Sequence, residues 1–304
     1  MKKIEYWIGY LFLQIIYLPF RFLSYESCLA LGRGIVKILR PLAKSKIKIA
    51  RENILHALPN LSEKEREKIL DGHIEYLGEL VADSLYAPRI NQDWLDKYFQ
   101  WENNSEAIEE RITKEPLGVV MISGHFGTWE VLVHWLGLKH KALGIYKKIR
   151  NPLVDKWYRS IREFSGISLV PMEDSAGPVF KGLKKGRWVG FGADQNAGRS
   201  GIFVQFLNRP ASTFQGPAAM AYLTGARMIL MSFLRGTNDK KVHANIIDLG
   251  VVEKEKFPDK ESAIRHYTEL WTHTLEGEIH KTPSQYFWVH RRWKTKPGDF
   301  PGQV

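Results

Sequence analysis

Cysteine is almost missing from this sequence: Cys28 stands alone among 304 residues. That excludes an internal disulfide framework and a multi-cysteine metal site, and it suits a chain whose bulk meets a reducing compartment. Cys28 itself reads as a small buried apolar residue. Gly/Ser-rich linkers, low-complexity tracts and internal repeats are also missing, which excludes solenoids and loosely tethered modules. Acidic residues are in deficit, 33 against 44 Lys plus Arg, for a formal net charge of +11. A basic balance favours anionic partners: nucleic acid, an acidic bilayer surface, or an acidic or phosphorylated protein. Apolar residues make up 44% of the chain, enough for a real core, so disorder is excluded.

The N-terminus separates these partners. Lys2 and Lys3 precede an aromatic-rich apolar run, Tyr6 to Phe20, closed by Arg21. No small-residue cleavage site follows, and the run is shorter than the roughly 20 residues of a comfortable span. Residues 1–24 are therefore expected to be a retained membrane anchor, either spanning or lying in the interface with Tyr and Trp in the headgroup belt. Between Ser27 and Arg51 no acidic residue occurs, while Arg33, Lys37, Arg40, Lys44, Lys46, Lys48 and Arg51 alternate with apolar positions. Such a basic, partly amphipathic helical region meets anionic headgroups, and by the positive-inside tendency it leaves the following chain in the cytoplasm.

Residues 25–304 are expected to form one domain, helical over 25–110 and α/β over 111–304. Ser62-Glu-Lys-Glu65 is a capping-box pattern, and Ile69, Ile74, Leu77, Leu80, Val81 and Leu85 then recur at helical spacing up to Pro88, with His73 a structural residue inside that helix. From Leu117 short β-type runs (117–123, 142–146, 187–193, 202–206, 227–234 and 242–249) alternate with helical intervals near 129–138, 152–164, 176–183, 213–223 and 260–280. This alternation predicts an α/β fold with a mixed central sheet flanked by helices.

Leu117 to Ser123 reads as a buried strand that delivers Gly124 and His125 to its C-terminal end, where sites in α/β sheets gather. On one continuous helix His125 and Glu130 would lie about 140° apart in azimuth, so His125 belongs to the strand-to-helix turn. From the first helical turn Glu130 is then expected to reach back to one imidazole nitrogen. A neutral imidazole held in this way can take a hydroxyl proton while the carboxylate fixes its tautomer. Gly124 and Gly127 leave room for substrate, although from the residues alone a hydrogen-bonded turn histidine is the commoner explanation of His125.

In the form Gly-His-Phe-Gly-Thr-Trp-Glu, this His-x4-Glu pattern resembles the lysophospholipid acyltransferase superfamily and, within it, the bacterial lipid A late acyltransferase family. Four further blocks agree in order. They are Ile49-Ala-Arg-Glu-Asn-Ile54 with Leu58-Pro59; Tyr146-Lys147 with Asn151-Pro152 and Arg162; Asp194-Gln195 with Phe206 and Ala211-Ser-Thr213; and Gln285-Tyr-Phe-Trp-Val-His-Arg-Arg292. The resemblance implies transfer of a fatty acyl chain from an acyl carrier protein or coenzyme A thioester to a hydroxyl of a membrane lipid such as a lipid A precursor. It implies no metal and no resident cofactor. Partners would be acyl carrier protein, the acceptor lipid and the anionic bilayer, at the cytoplasmic face of the inner membrane.

Carried over by position, His125 is the base and Glu130 its partner. Tyr146, Lys147, Asn151 and Arg162 hold acceptor phosphate or thioester, Asp194 and Gln195 order the site, and His290 and Arg291 close it. Arg162 and the amides around His125 are the candidate donors to the oxyanion of an attacked thioester. Thr128, Asn196 and Phe206-Leu207-Asn208 depart from the family pattern, which leaves acceptor identity open among lysophospholipids, phosphoglycolipids and aminolipids.

Two readings compete. Basic charge with abundant aromatics also suits a nucleic-acid groove, against which the apolar N-terminus argues. A metallohydrolase built on His125, Glu130, His134 and Asp194 lacks a His-Glu-x-x-His helix.

Overall fold

The computed structural model describes residues 2–239 and 241–299, so the outermost ends of the expected 1–24 and 25–304 segments, Met1 and 300–304, lie outside the described residues. The chain opens with four helices: α1 (Lys2–Phe20), α2 (Tyr25–Leu39), α3 (Lys44–Ala57) and α4 (Glu63–Tyr86), with a 3₁₀ turn, Arg40–Ala43, between α2 and α3. The Ser62–Glu65 capping box forms in both directions at the start of α4. Helices α2 and α4 cross backbone to backbone: a Cβ on Gly32 would lie 2.1 Å from the Gly78 carbonyl oxygen, so neither position accepts a side chain.

There follow α5 (Gln92–Tyr98), β1 (Phe99–Trp101), α6 (Ser105–Lys114), β2 (Val119–Ser123), α7 (Trp129–Lys139), β3 (Ala142–Tyr146), α8 (Pro152–Glu163), β4 (Ser168–Pro171), α9 (Ala176–Lys184) and β5 (Trp188–Gly192). A hairpin, β6 (Ile202–Phe206) and β7 (Arg209–Thr213), precedes α10 (Gly216–Thr224), β8 (Arg227–Arg235), β9 (Val242–Val251) and α11 (Lys260–Lys281). Leu207 and Asn208, both at positive φ (48° and 66°), make the two-residue turn that matches strand twist in a hairpin.

Seven strands form a mixed sheet in the order β1-β9-β8-β2-β5-β3-β4, parallel throughout except for β8 against β9. Strand β2 is central, and all five of its residues are buried. Alternation sends Val120 and Ile122 into one core with Leu183, Met228, Trp271 and Leu275, and Val119 and Met121 into the other with Trp135, Trp188 and Ile229. The α/β reading with a mixed sheet therefore holds.

Three short strands escaped the sequence reading. Strands β1 and β4 are three and four residues at the two sheet edges, and β7 carries Pro210, which a sheet interior disfavours. Thr213, taken as the start of a helix, ends β7 instead, and α10 begins at Gly216.

The N-terminal run is a helix with two faces. Leu13, Ile16, Tyr17 and Phe20 pack inward, whereas Ile4, Ile8, Leu11, Ile15 and Leu18, at helical spacing, are exposed. Among the described residues no helix is long and apolar enough to cross a membrane.

Candidate active site

Parallel strands set the geometry. Strands β2 and β5 are sheet neighbours, with Ser123 opposite Gly192. Two residues past each of these ends come His125 and Asp194, so in-register pairing brings an imidazole and a carboxylate face to face. His125 Nδ1 lies 2.7 Å from Asp194 Oδ1. Asp194 is buried, and the His125 side chain is 28% exposed, so the ring is braced on one edge and open on the other.

The turn that carries His125 is held from three directions. Gly127 takes a left-handed φ of +61°, and a Cβ there would fall 2.0 Å from the Phe233 carbonyl oxygen, so only glycine fits. The Thr128 amide donates to that same carbonyl, and the Gly127 amide donates to the Gln285 carbonyl. The Phe287 amide donates to the His125 carbonyl, and Tyr76 Oη donates to that of Gly127. The amides of Gly127 and Thr128 are thus already committed and are not free oxyanion donors. Trp129 meets the His125 ring edge to face at 5.1 Å, and Phe287 covers it at 6.2 Å.

Glu130 does not reach His125. Its buried carboxylate accepts from Arg162 Nε at 3.0 Å and Nη2 at 2.5 Å, from Tyr158 Oη at 3.0 Å and from Trp129 Nε1 at 3.2 Å. Tyr158 and Arg162 are four apart on α8 and share the face turned to α7. The expected His125–Glu130 contact is thereby corrected. At the start of α7 the Glu130 side chain meets α8, while β5 supplies the carboxylate on His125. Trp129, packed on His125 and bonded to Glu130, joins the His125–Asp194 contact to the Glu130–Arg162 ion pair.

Electrostatics follow the contacts. Burial alone would raise the Asp194 carboxyl, but His125 and Arg292 outweigh it and hold Asp194 below its ordinary value. Glu130 behaves alike: burial pushes up, Arg162 and Tyr158 pull down, and the net shift is downward. The Tyr158 phenol is pushed up by burial and by Glu130. His290 is pushed down chiefly by burial, and its Nε2 accepts from the Asn196 amide at 3.1 Å.

The remaining residues divide. Tyr146 is buried at the end of β3 beneath the Arg159 guanidinium, whereas Lys147 is exposed. Asn151 is occupied structurally: its Oδ1 caps α8, and its Nδ2 donates to the Tyr6 carbonyl of α1 at 2.9 Å. That contact joins α1 to α8 through Asn151, a residue also expected to meet substrate. Gln195 is half-buried beside Asp194, and Arg291 is exposed, while its neighbour Arg292 is buried and donates to Ser212 and Thr213. His134 turns both ring nitrogens to backbone carbonyls, of Glu130 and Ile161, so it does not join His125. Tyr158 and Tyr286, which packs beside Asp194, were not singled out in the sequence. The spacing of Tyr158 to Arg162 was the available signal.

The model of the bacterial lipid A biosynthesis acyltransferase family matches residues 1–295. The chain belongs to that family. Relatives include a lipid A biosynthesis lauroyltransferase of Escherichia coli K12, 28% identical over 98% of this chain and 95% of that protein. The palmitoleoyltransferase of the same organism is 28% identical over 96% and 93%. A lipid A biosynthesis acyltransferase of Haemophilus influenzae is 24% identical over 97% and 91%. Family membership makes the chain an acyltransferase, and His125, Asp194, Glu130 and Arg162 all lie within the matched region.

Proposed function

We propose that this acyltransferase moves a fatty acyl chain from an acyl carrier protein or coenzyme A thioester to a hydroxyl of a lipid A precursor, with His125 as general base. The carrying observation is the His125 ring, braced through Nδ1 by buried Asp194 and exposed on its other edge. A neutral imidazole with Nδ1 donating to Asp194 keeps its Nε2 lone pair for the acceptor hydroxyl. The hydroxyl oxygen attacks the thioester carbonyl as its proton passes to Nε2. The C–S bond then breaks, and the departing sulfur takes that proton back, leaving ester and free thiol.

Asp194 stabilises the imidazolium between these steps. The Arg162 guanidinium, held by Glu130 through Nε and Nη2, is assigned the stabilisation of the oxyanion in this reading. In this reading Glu130 is the positioning residue for Arg162. Tyr146, Lys147, Gln195, His290 and Arg291 line the approach, where Lys147 and Arg291 meet acceptor phosphate. Residues 25–304 work as one catalytic unit, with 1–24 lying in the cytoplasmic interface of the inner membrane through the exposed stripe of α1. No metal or cofactor is needed, since the base activates the acceptor directly.

The test is transfer of labelled acyl chains from acyl carrier protein and from coenzyme A to a panel of membrane lipids, with wild type and His125→Ala. Transfer to lipid A precursors that depends on His125 is expected. Undiminished transfer by His125→Ala overturns the assignment of the base.

A further inference from the structure

The elbow between α2 and α3 carries an unpartnered surface that the reaction does not use. Ile38 is 78% exposed, Leu39 47% and Leu42 83%, and the 3₁₀ turn Arg40–Ala43 buries nothing. Lys37 and Lys44 flank this apolar tip in the chain, Arg40 within it is paired with Asp71 at 3.1 Å, and Lys46 and Lys48 follow on α3, Lys48 lying 3.9 Å from Glu52. An exposed aliphatic tip with lysines beside it calls for an apolar partner that carries anionic groups at its edge. The tip matches a bilayer, whose interior accepts apolar side chains of any shape and whose anionic headgroups meet the cations.

We infer that Ile38, Leu39 and Leu42 insert into an anionic bilayer surface as a second membrane contact, separate from α1. Position supports this assignment. Helix α1 lies against α8, tied by Asn151 to the Tyr6 carbonyl and by Tyr17 against Trp157, and α8 carries Arg162 to Glu130. Helix α3, which continues from the elbow, is fixed elsewhere: Asn53 Nδ2 donates to the carbonyls of Trp288 and His290 at 2.7 and 2.9 Å. The two elements thus attach to different parts of the site, α1 to the helix that holds Glu130 and α3 to the segment that follows Phe287 on His125. Two attachments fix the orientation of the protein on a bilayer, which a single contact leaves free to turn. The purpose of this orientation rests on the lipid-acceptor reading, but the insertion itself is measured without turnover.

The experiment places an environment-sensitive fluorophore on Leu42→Cys, the buried Cys28 being inaccessible to labelling. Leu11→Cys on the exposed stripe of α1 and Glu255→Cys in a turn remote from both serve as references. With phosphatidylethanolamine–phosphatidylglycerol vesicles the probe at 42 is expected to shift to the blue and to be quenched by lipid-borne nitroxide, as at 11 and unlike at 255. Leu42→Asp in the full chain is expected to lower vesicle partitioning by about tenfold or more, the equivalent of one leucine left out of the bilayer.

A water-exposed probe at 42 on vesicles that shield 11 overturns the inference and leaves α1 as the sole contact. A blue shift at 42 caused by acyl carrier protein without vesicles also overturns it, since the tip then docks a protein. Insertion at 42 without acylation of lipid A precursors upholds the inference and removes only the proposed acceptor.

Discussion

Replacing Asp194 by Asn keeps the shape of the side chain and removes its charge. Asp194 is 2% exposed and 2.7 Å from His125 Nδ1, so in the proposed mechanism the imidazolium has its counter-charge in direct contact and buried. A neutral amide there supplies neither the charge nor a fixed tautomer. General-base assistance is worth about 10²–10⁴-fold, so Asp194→Asn is expected to lower kcat by that factor, or about 3–5 kcal/mol, with KM little changed. His125→Ala should cost a similar amount. Because the two act as a unit, the double variant should be no slower than the worse single variant. Glu130→Gln, which acts through Arg162, should by contrast multiply its loss with that of His125→Ala. The assay is single-turnover acyl transfer below the unfolding midpoint of each variant, because Arg292 also loses a neighbouring charge. Multiplicative losses for Asp194 with His125, together with non-additive losses for Glu130 with His125, would refute the pairing argued from the strand register.

Other outcomes follow from the same contacts. Arg162→Met leaves Glu130 charged and buried, so urea unfolding should show a loss of about 3–5 kcal/mol, partly recovered by adding Glu130→Gln. Gly127→Ala must hold a left-handed φ against the Phe233 carbonyl and should cost at least about 1–2 kcal/mol by thermal unfolding, with activity falling as the turn shifts. Asp194 and Glu130, both held low in the folded state, contribute stability in full above their unfolded values near 4 and lose it as pH falls through the folded ones. Asn and Gln there should therefore flatten the acid limb of a stability–pH curve. His73, which burial pushes down to about 4, stays neutral in the fold while the unfolded chain charges below about 6.5, so it should remove about 3 kcal/mol of stability between those pH values. His73→Phe should abolish that slope, and an unchanged slope would show that the ring is not buried neutral.

The local elements were legible because their causes are local. Strand Ala142–Tyr146 was readable as a short apolar run between helical segments, and the capping box at Ser62 from side-chain chemistry within a few residues. Placing His125 just past β2 was readable too, from the apolar run that ends at Ser123, whereas the argument from a shared face with Glu130 lost its premise with their contact. The partner of His125 was not readable. Asp194 stood out as a carboxylate past a strand, but its pairing with His125 depends on β5 lying beside β2, and that order arises from crossovers through α7, α8 and α9 rather than from either strand. Glu130 was assigned to the imidazole by nearness in sequence, whereas Arg162 and Tyr158, on the next helix but one strand later, claim it in space. Asn151 shows the same limit: its place in a motif block gives no sign that Tyr6 of α1 is its neighbour.

The strap at 285–287 has a consequence for synthesis. It closes over the His125 turn through Gln285, Tyr286 and Phe287, and Gln285 also brackets Arg235 by accepting from its amide and donating to its carbonyl. Those residues leave the ribosome roughly 160 positions after His125, about 10–30 s later at ordinary elongation rates. During that interval α1 is already available to lipid while the histidine turn still lacks its frame. With α1 at the membrane as proposed, the nascent chain reaches lipid before it can react, and a chain stalled short of the strap is expected there without activity.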